Sequence, residues 1–448
     1  MAGYRSAWLV GALTAGALGL RALYLTSFEI ENPFRSDAAD YARYAANLLE
    51  HGVYSRSGPE VPSPIPDAFR PPGYPLFLAV CLWLAGDSAL FWIYALQALL
   101  SAALVPLTLA AGRQWLPSWA AWLAAALVAL SPHLISFTGY LLSEVLFAFL
   151  LLLGLLAYQR ALAQRRARTL FAAGTLLGAS ALVNSAALPI AALAAAALLV
   201  GRPSPRTSAS AWVRHPDRMG VAAILLGAAL FPAIWALRNT QLPPGSRSGS
   251  DRLLATAIHG SYPGFVYRDP RLRYYAYRED PRFREMLRSY SDFARVLGER
   301  VRERPLRFLS WYALEKPITL WTWDMLQGVE DVYVYPLSRY GFAEQPMLDA
   351  IRIAMKRLHP VVLLLAMLGI PLLAARPRPL GEHPVEGPMP RVLLLLFGYW
   401  TVLYTLTAPW PRYAIPLRPE LYLWVAFASS RLASLIQARR AAAGIAAA

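Results

Sequence analysis

The sequence predicts an all-α polytopic membrane protein, and three observations predict it. Of its 448 residues, 57% are hydrophobic and only 16% are charged, with mean hydropathy +0.38, too apolar for an ordinary soluble domain. Apolar runs long enough to cross a bilayer recur from residue 7 to residue 431. The charge is lopsided: 43 basic residues against 27 acidic ones give a net +16, and Lys316 and Lys356 are the sole lysines. Basic clusters fall in short loops between apolar runs, as the positive-inside bias requires.

Hydropathy places spans near 7–25, 90–111, 118–134, 139–158, 169–184, 187–201, 219–238, 358–375, 391–408 and 414–431, about ten in all. The first, Ala7–Leu25, lacks a small-residue cleavage site and reads as a retained helix. The run Leu76–Ala85 is too short to span, reaching only about 15 Å as a helix. It reads as a juxtamembrane or re-entrant helix. With the N-terminus inside, the loops at Arg113, 159–168, 202–218 and 375–379, and the tail with Arg431, Arg439 and Arg440, all fall on the cytoplasmic side. Making 76–85 a full span would turn most of them outward. Both termini are then cytoplasmic, and the location expected is a bacterial inner membrane.

Two long segments then face outward, 26–89 and 239–357. The chain divides into an N-terminal membrane module (1–238), an external region with polar and interfacial helices (239–357), and C-terminal spans with a tail (358–448). In the external region, 277–304 reads as polar helices, and 305–323, rich in Trp and Tyr, as a helix along the interface. Asn184 and Pro189 interrupt the apolar stretch 169–201 and read as a hairpin turn, with a broken helix lining a pore as the alternative.

Several chemistries find no support. Nucleic acid is an unsuited partner, because the basic clusters are short inter-span loops. The single cysteine, Cys81, forms no intramolecular disulfide. No metal-site spacing occurs among the six histidines, and no G-x-S-x-G elbow, P-loop or Rossmann glycine pattern is present. Neither a metal nor a cofactor is expected.

What remains is a polar segment after the first span, Ser36-Asp37-Ala38-Ala39-Asp40-Tyr41, flanked by Arg35 and later by Arg70. Asp37 and Asp40 are three apart, so a helix starting here presents both on one face, and carboxylates so near lipid are costly without a use. Helix capping is the simplest account of Asp37 alone. It leaves unexplained the gathering of Asp37, Asp40, Arg35 and Arg70 outside the first span. Glu144, at the outer start of a span, lies on the same side; alone it reads equally as a carboxylate reaching water. Arg238 and Arg412 also face outward. Each arginine alone reads as an interfacial anchor, whereas several converging on one cleft suit a phosphate.

The segments SDAADYARYAANLLEHGVYS, FRPPGYPLFLA, LLSEVLF, ALRN and PRYAIPLRP, in that order, resemble the GT-C class of polyprenyl-phosphate-sugar-dependent glycosyltransferases. The branch they resemble is family 39, which includes protein O-mannosyltransferases and the aminoarabinose transferase of lipid A. The resemblance implies a GT-C fold. It also implies transfer of a sugar from a lipid-linked phosphate donor to an acceptor lipid, glycan or protein, with inversion at the anomeric carbon. By motif position it makes Asp37 the catalytic base; Arg70 and Arg412 are the candidates for the donor phosphate, because arginine can neutralise the charge that grows on the leaving group. Asp40, Tyr41, Tyr74, Glu144, Arg238 and Tyr413 are the further substrate-binding candidates. The family often has Asp-Glu where this chain has Asp37-Ala38. Aminoarabinose transferases carry Glu-Lys where it has Phe69-Arg70, so the acid associated there with metal is missing. The alternative reading is a transporter or flippase of an anionic polyprenyl lipid.

Overall fold

A computed structural model describes residues 2–164, 166–200, 218–324, 335–374 and 388–446. The basic run 375–379, and the loop 202–218 apart from its last residue, lie outside them. The chain opens with α1 (Ala2–Thr26), a two-residue strand β1 (Glu29–Ile30) and α2 (Ser36–His51). Next come α3 (Gly73–Ala85), α4 (Ala89–Gly112), α5 (Ser118–Ala129) and the short α6 (Pro132–Ser136). The N-terminal half ends with α7 (Glu144–Gln164), α8 (Ala167–Val183), α9 (Ile190–Val200) and α10 (Arg218–Asn239). The middle region holds α11 (Gly249–Gly260), α12 (Phe283–Met286), α13 (Tyr290–Glu303), α14 (Pro305–Ser310) and α15 (Lys316–Trp321). Strand β2 (Leu337–Arg339), α16 (Gly341–Glu344), α17 (Pro346–Ala374), α18 (Met389–Leu406) and α19 (Arg418–Ala446) complete the chain.

The protein is all-α and multi-pass. Among the described residues six helical stretches are long and apolar enough to cross a membrane, or seven if the pair Ser118–Ala129 and Pro132–Gly139, bent by 47°, is one broken span. The sequence reading gives about ten spans, and its remaining apolar runs fall on helices that are shorter or less apolar. α8 has 17 residues and α9 has 11 among the described residues, and both are shorter apolar helices. α19 is long enough, but Arg418 and Glu420 at its start and Arg431, Arg439 and Arg440 further on dilute its apolarity. The run 76–85 belongs to α3, which passes through a single turn at Gly86–Ser88 into α4; together they make a 40-residue apolar stretch.

Without a hydrophobic drive between helices in lipid, packing depends on close backbone approach. α8 and α10 achieve it through glycine: a Cβ on Gly174 would stand 2.1 Å from the Ile224 carbonyl oxygen, and one on Gly227 2.1 Å from that of Phe171. The break between α5 and α6 frees carbonyls, and Arg21 satisfies them. Its guanidinium donates to Ala129 O (3.2 Å) and Val128 O (3.3 Å), and to Ser101 Oγ (2.8 Å). That accounts for a wholly buried cation in the first span.

The middle region has its own small core around Leu254, Ile258, Tyr262, Met286 and Val296. It docks on the bundle through Lys316, a fully buried side chain whose Nζ donates to Thr405 O and Thr407 O, both at 2.7 Å, at the end of α18. Leu306, Leu309, Leu314 and Ile318 of the same helical run stay exposed, the apolar face expected of a helix lying along an interface. Strands β1 and β2 pair antiparallel, tying the chain after α1 to the segment before α16. This brings Tyr335 over the first turn of α2, where its hydroxyl oxygen accepts the Ala38 N–H at 3.2 Å.

Candidate active site

α2 begins without a side-chain cap. Its N-cap residue is Arg35, in extended conformation, and Ser36 takes a left-handed φ of 51°. A non-glycine residue there is uncommon and costs about 1–3 kcal/mol, and no side chain caps the helix at this end. Asp37 therefore does not cap. It stands in the first turn, where the helix dipole favours a negative charge, and both its oxygens meet arginines. The helix ends at Gly52, whose φ of 67° closes it in the left-handed region.

Four segments contribute six charged side chains that form one alternating line: Glu144, Arg412, Asp37, Arg70, Asp40, Arg56. Arg412 Nε lies 2.6 Å from Glu144 Oε1 as an ion pair, and Arg412 Nη2 donates to Asp37 Oδ2 at 2.6 Å. Arg70 Nη2 donates to Asp37 Oδ1 at 2.7 Å. Arg70 also reaches Asp40 Oδ2, from Nε at 3.1 Å and Nη2 at 2.8 Å. Arg56 Nη1 stands 3.7 Å from the same Asp40 oxygen. Three acids and three guanidinium groups balance. The inner end is closed: Glu144 is 7% exposed, and its Oε2 has no hydrogen-bond partner among the described residues. The middle is open, because Asp37 keeps 24% of its side chain exposed.

Burial alone would raise the Asp37 carboxyl, but Arg70 and Arg412 together hold it well below the usual carboxylate range. Burial works against the charge of Arg412 too, and Glu144 and Asp37 more than offset it, so the guanidinium stays charged. Tyr335 is pushed up by burial and by the Asp37 charge, so its hydroxyl stays neutral beside the line.

A layer of hydrogen bonds positions the loop that carries Arg56 and Arg70. Asp67, buried, accepts the Phe69 N–H (3.0 Å), the Arg56 N–H (2.9 Å) and the Tyr44 hydroxyl. Tyr54 donates its hydroxyl to Arg70 O (3.1 Å). Arg238 donates to Asp67 O (2.7 Å) and Tyr54 O (3.2 Å).

Of the sequence-predicted residues, the fold brings together Asp37, Asp40, Arg70, Glu144 and Arg412, with two tyrosines against them. The Arg70 guanidinium lies 5.4 Å from the centre of the Tyr41 ring, and that of Arg412 5.9 Å from Tyr413. Tyr74 lies a layer deeper: its ring packs edge-on to Tyr41, and its hydroxyl donates to Gln97 Oε1 at 2.9 Å. The fold does not bring Arg238 into the line; its guanidinium binds the backbone behind the Arg70 loop. The sequence reading missed Arg56, Asp67 and Tyr335. Asp67 carried a usable signal, an acid two residues before Phe69-Arg70, the pattern of a side chain bonding its own turn. Among the described residues, no group of three or more His, Cys, Asp or Glu could hold a metal ion.

No family model matches the sequence, and no curated protein does either. Among solved structures the chain aligns with the Archaeoglobus fulgidus oligosaccharyltransferase in complex with zinc and sulfate, at 15% identity over 98% of this chain and 51% of that one, TM-score 0.47. AglB of the same organism, in complex with an inhibitory peptide and a dolichol-phosphate, aligns at 14% identity over 99% and 52%, TM-score 0.46. ArnT from Cupriavidus metallidurans, bound to undecaprenyl phosphate, aligns at 16% identity over 96% and 79%, TM-score 0.39. The chain spans about half the length of the oligosaccharyltransferase it aligns with.

Proposed function

We propose that this chain is a GT-C-type glycosyltransferase of the bacterial inner membrane. In this reading it moves a sugar from a polyprenyl-phosphate-linked donor to a hydroxyl acceptor on the outer face, with inversion and with Asp37 as general base. The observation that carries the reading is the position of Asp37: partly open, with one arginine on each oxygen, in the motif where the resemblance puts the base.

The chemistry balances within the line of charges. Asp37 accepts the acceptor hydroxyl proton as the oxygen attacks C1. The bond from C1 to the phosphate oxygen breaks, and its electron pair leaves with the phosphate. The donor is a phosphodiester with one negative charge; the product monoester carries close to two, its second pKa being about 6. Asp37 meanwhile becomes neutral and loosens its hold on Arg70 and Arg412. The guanidinium groups are thus released as negative charge grows on the leaving group, which is stabilisation directed at the transition state.

Carriage of an anionic lipid is less well supported. The buried cation of the first span, Arg21, is spent on Ser101 and on backbone carbonyls. The decisive test is Asp37→Asn in purified protein with a panel of polyprenyl-phosphate sugars. Release of polyprenyl phosphate should fall about 10²–10⁴-fold, with donor binding and melting temperature retained. Full turnover by Asp37→Asn protein would sink the assignment.

A further inference from the structure

The three arginines of the line are not equally committed. Arg70 and Arg412 make hydrogen bonds to carboxylates at 2.6–2.8 Å and are 11% and 12% exposed. Arg56 is 23% exposed, and its closest carboxylate oxygen, Asp40 Oδ2 at 3.7 Å, already takes two donations from Arg70. Among the described residues the Arg56 guanidinium makes no hydrogen bond, so its five N–H donors are open. The group is nevertheless held in place. It lies over the Phe69 ring at 4.3 Å, and its backbone N–H is fixed by Asp67 at 2.9 Å. Nor does it brace the loop, whose braces are Asn47 Nδ2 to Ser55 O and Ser57 O and Ser55 Oγ to Ile65 O.

We propose that Arg56 is the ground-state anchor for the phosphate of the lipid-linked donor. The inference rests on the transferase reading above and divides the labour among its arginines. An incoming phosphate that recruited Arg70 or Arg412 would have to break a largely buried ion pair, which costs several kcal/mol. Arg56 can be recruited without breaking any hydrogen bond. It offers a rigid fork at the open end of the line, the geometry that suits phosphate oxygens. Arg56 then holds the donor before reaction, and Arg70 and Arg412 act as Asp37 takes its proton. Contact made equally in ground and transition states appears in KM, and contact made only in the transition state appears in kcat.

Arg56→Ala and Arg56→Lys in the full-length protein test this. Binding of undecaprenyl phosphate, and of the same polyprenol without phosphate, is measured at low and high salt, alongside transfer kinetics. For Arg56→Ala we expect about tenfold weaker binding of the phosphate lipid, unchanged binding of the polyprenol, and a flatter salt dependence. Donor KM should rise about tenfold with kcat within about twofold, and Arg56→Lys should recover part of the loss. Wild-type affinity for the phosphate lipid in Arg56→Ala would overturn the inference and leave the transferase reading standing. Equal losses for both lipids, or a fall in kcat at constant donor KM, would overturn it as well. Failure of the wild-type protein to bind undecaprenyl phosphate would overturn the inference together with the donor reading.

Discussion

Two ion networks in this protein use the same residue types and come to opposite ends. On α12 and α13, Arg282 and Arg295 bracket Glu285 and Glu299 at 2.5–3.5 Å. Their partners lie at most 17 residues apart in sequence, so the geometry needs little beyond one helix and the turn before it. In the line at α2, Arg412 and Asp37 are 375 residues apart, and the whole fold is needed to bring them together. Hydrogen bonds from Arg282 and Arg295 hold Glu285 down to about 2, and Asp37 is held low as well. Neither the shift nor the exposure of the carboxylate, 24% at Asp37 and 26% at Glu285, tells the two networks apart; the burial of their partners does, with Arg70 and Arg412 at 11–12% against Arg282 and Arg295 at 33–49%. A paired carboxylate in water loses little when its partner goes, whereas a buried one is left with an unsolvated charge.

Arg412→Ala should therefore produce the largest effect of any substitution outside Asp37. It strands Glu144 and takes from Asp37 one of its two arginines, leaving Arg70, and removing one partner of a buried pair costs about 3–5 kcal/mol. Melting of the purified protein should show this as a large drop, with transfer lost. Adding Glu144→Gln to Arg412→Ala should recover part of the stability, because the amide needs no counter-charge, but none of the transfer. If Arg412→Ala melts like wild type, the line is no more than a surface network, and the contrast with α12 and α13 fails.

How far the sequence could show this contrast depends on the range of the interactions. The helices were legible because apolarity is local, and Asp37 and Asp40 share a face because three residues of a helix fix it. Glu144 and Arg412 were legible only as charges at span ends. Their convergence on Asp37 comes from packing, which periodicity does not encode. Arg56 and Arg238 mark the limit. Both are lone arginines beside polar turns, and nothing local distinguishes the one that faces Asp40 from the one that binds the carbonyls of Asp67 and Tyr54. The apolar helices have the same limit, since hydropathy sees that α8 and α9 are apolar but not how each packs.

The middle region should respond to pH through a group outside its surface network. His259, on α11, stacks on Tyr277 at 4.5 Å, and burial pulls its imidazole down to about 4. The unfolded region binds that proton below about 6.5, and the folded one does not until about pH 4. Stability should thus be flat above pH 6.5, fall as pH drops from 6.5 to 4, and level off below; the loss is at most about 3 kcal/mol. Hydrogen exchange of segment 249–303, corrected for intrinsic rates, checks this between pH 7 and 5. His259→Gln should remove the decline, and an unchanged decline would mean that His259 is not its cause.

The smallest effect is expected from Glu285→Gln. Its carboxylate, like that of Asp37, has two arginine partners, so an argument from contacts alone would rank the two together. In water the arginines left behind are rehydrated at once, and salt already screens the pair. Transfer should stay within about twofold of wild type, and melting should change little at low salt and less at high salt. Raising the salt should leave the Arg412→Ala deficit almost untouched, because buried charges lie out of reach of counter-ions. The ratio of the two salt responses therefore measures burial directly. A salt-sensitive Arg412→Ala deficit would mean that the line at α2 is wetted throughout, and Asp37 would then be far less controlled by its arginines than the geometry implies.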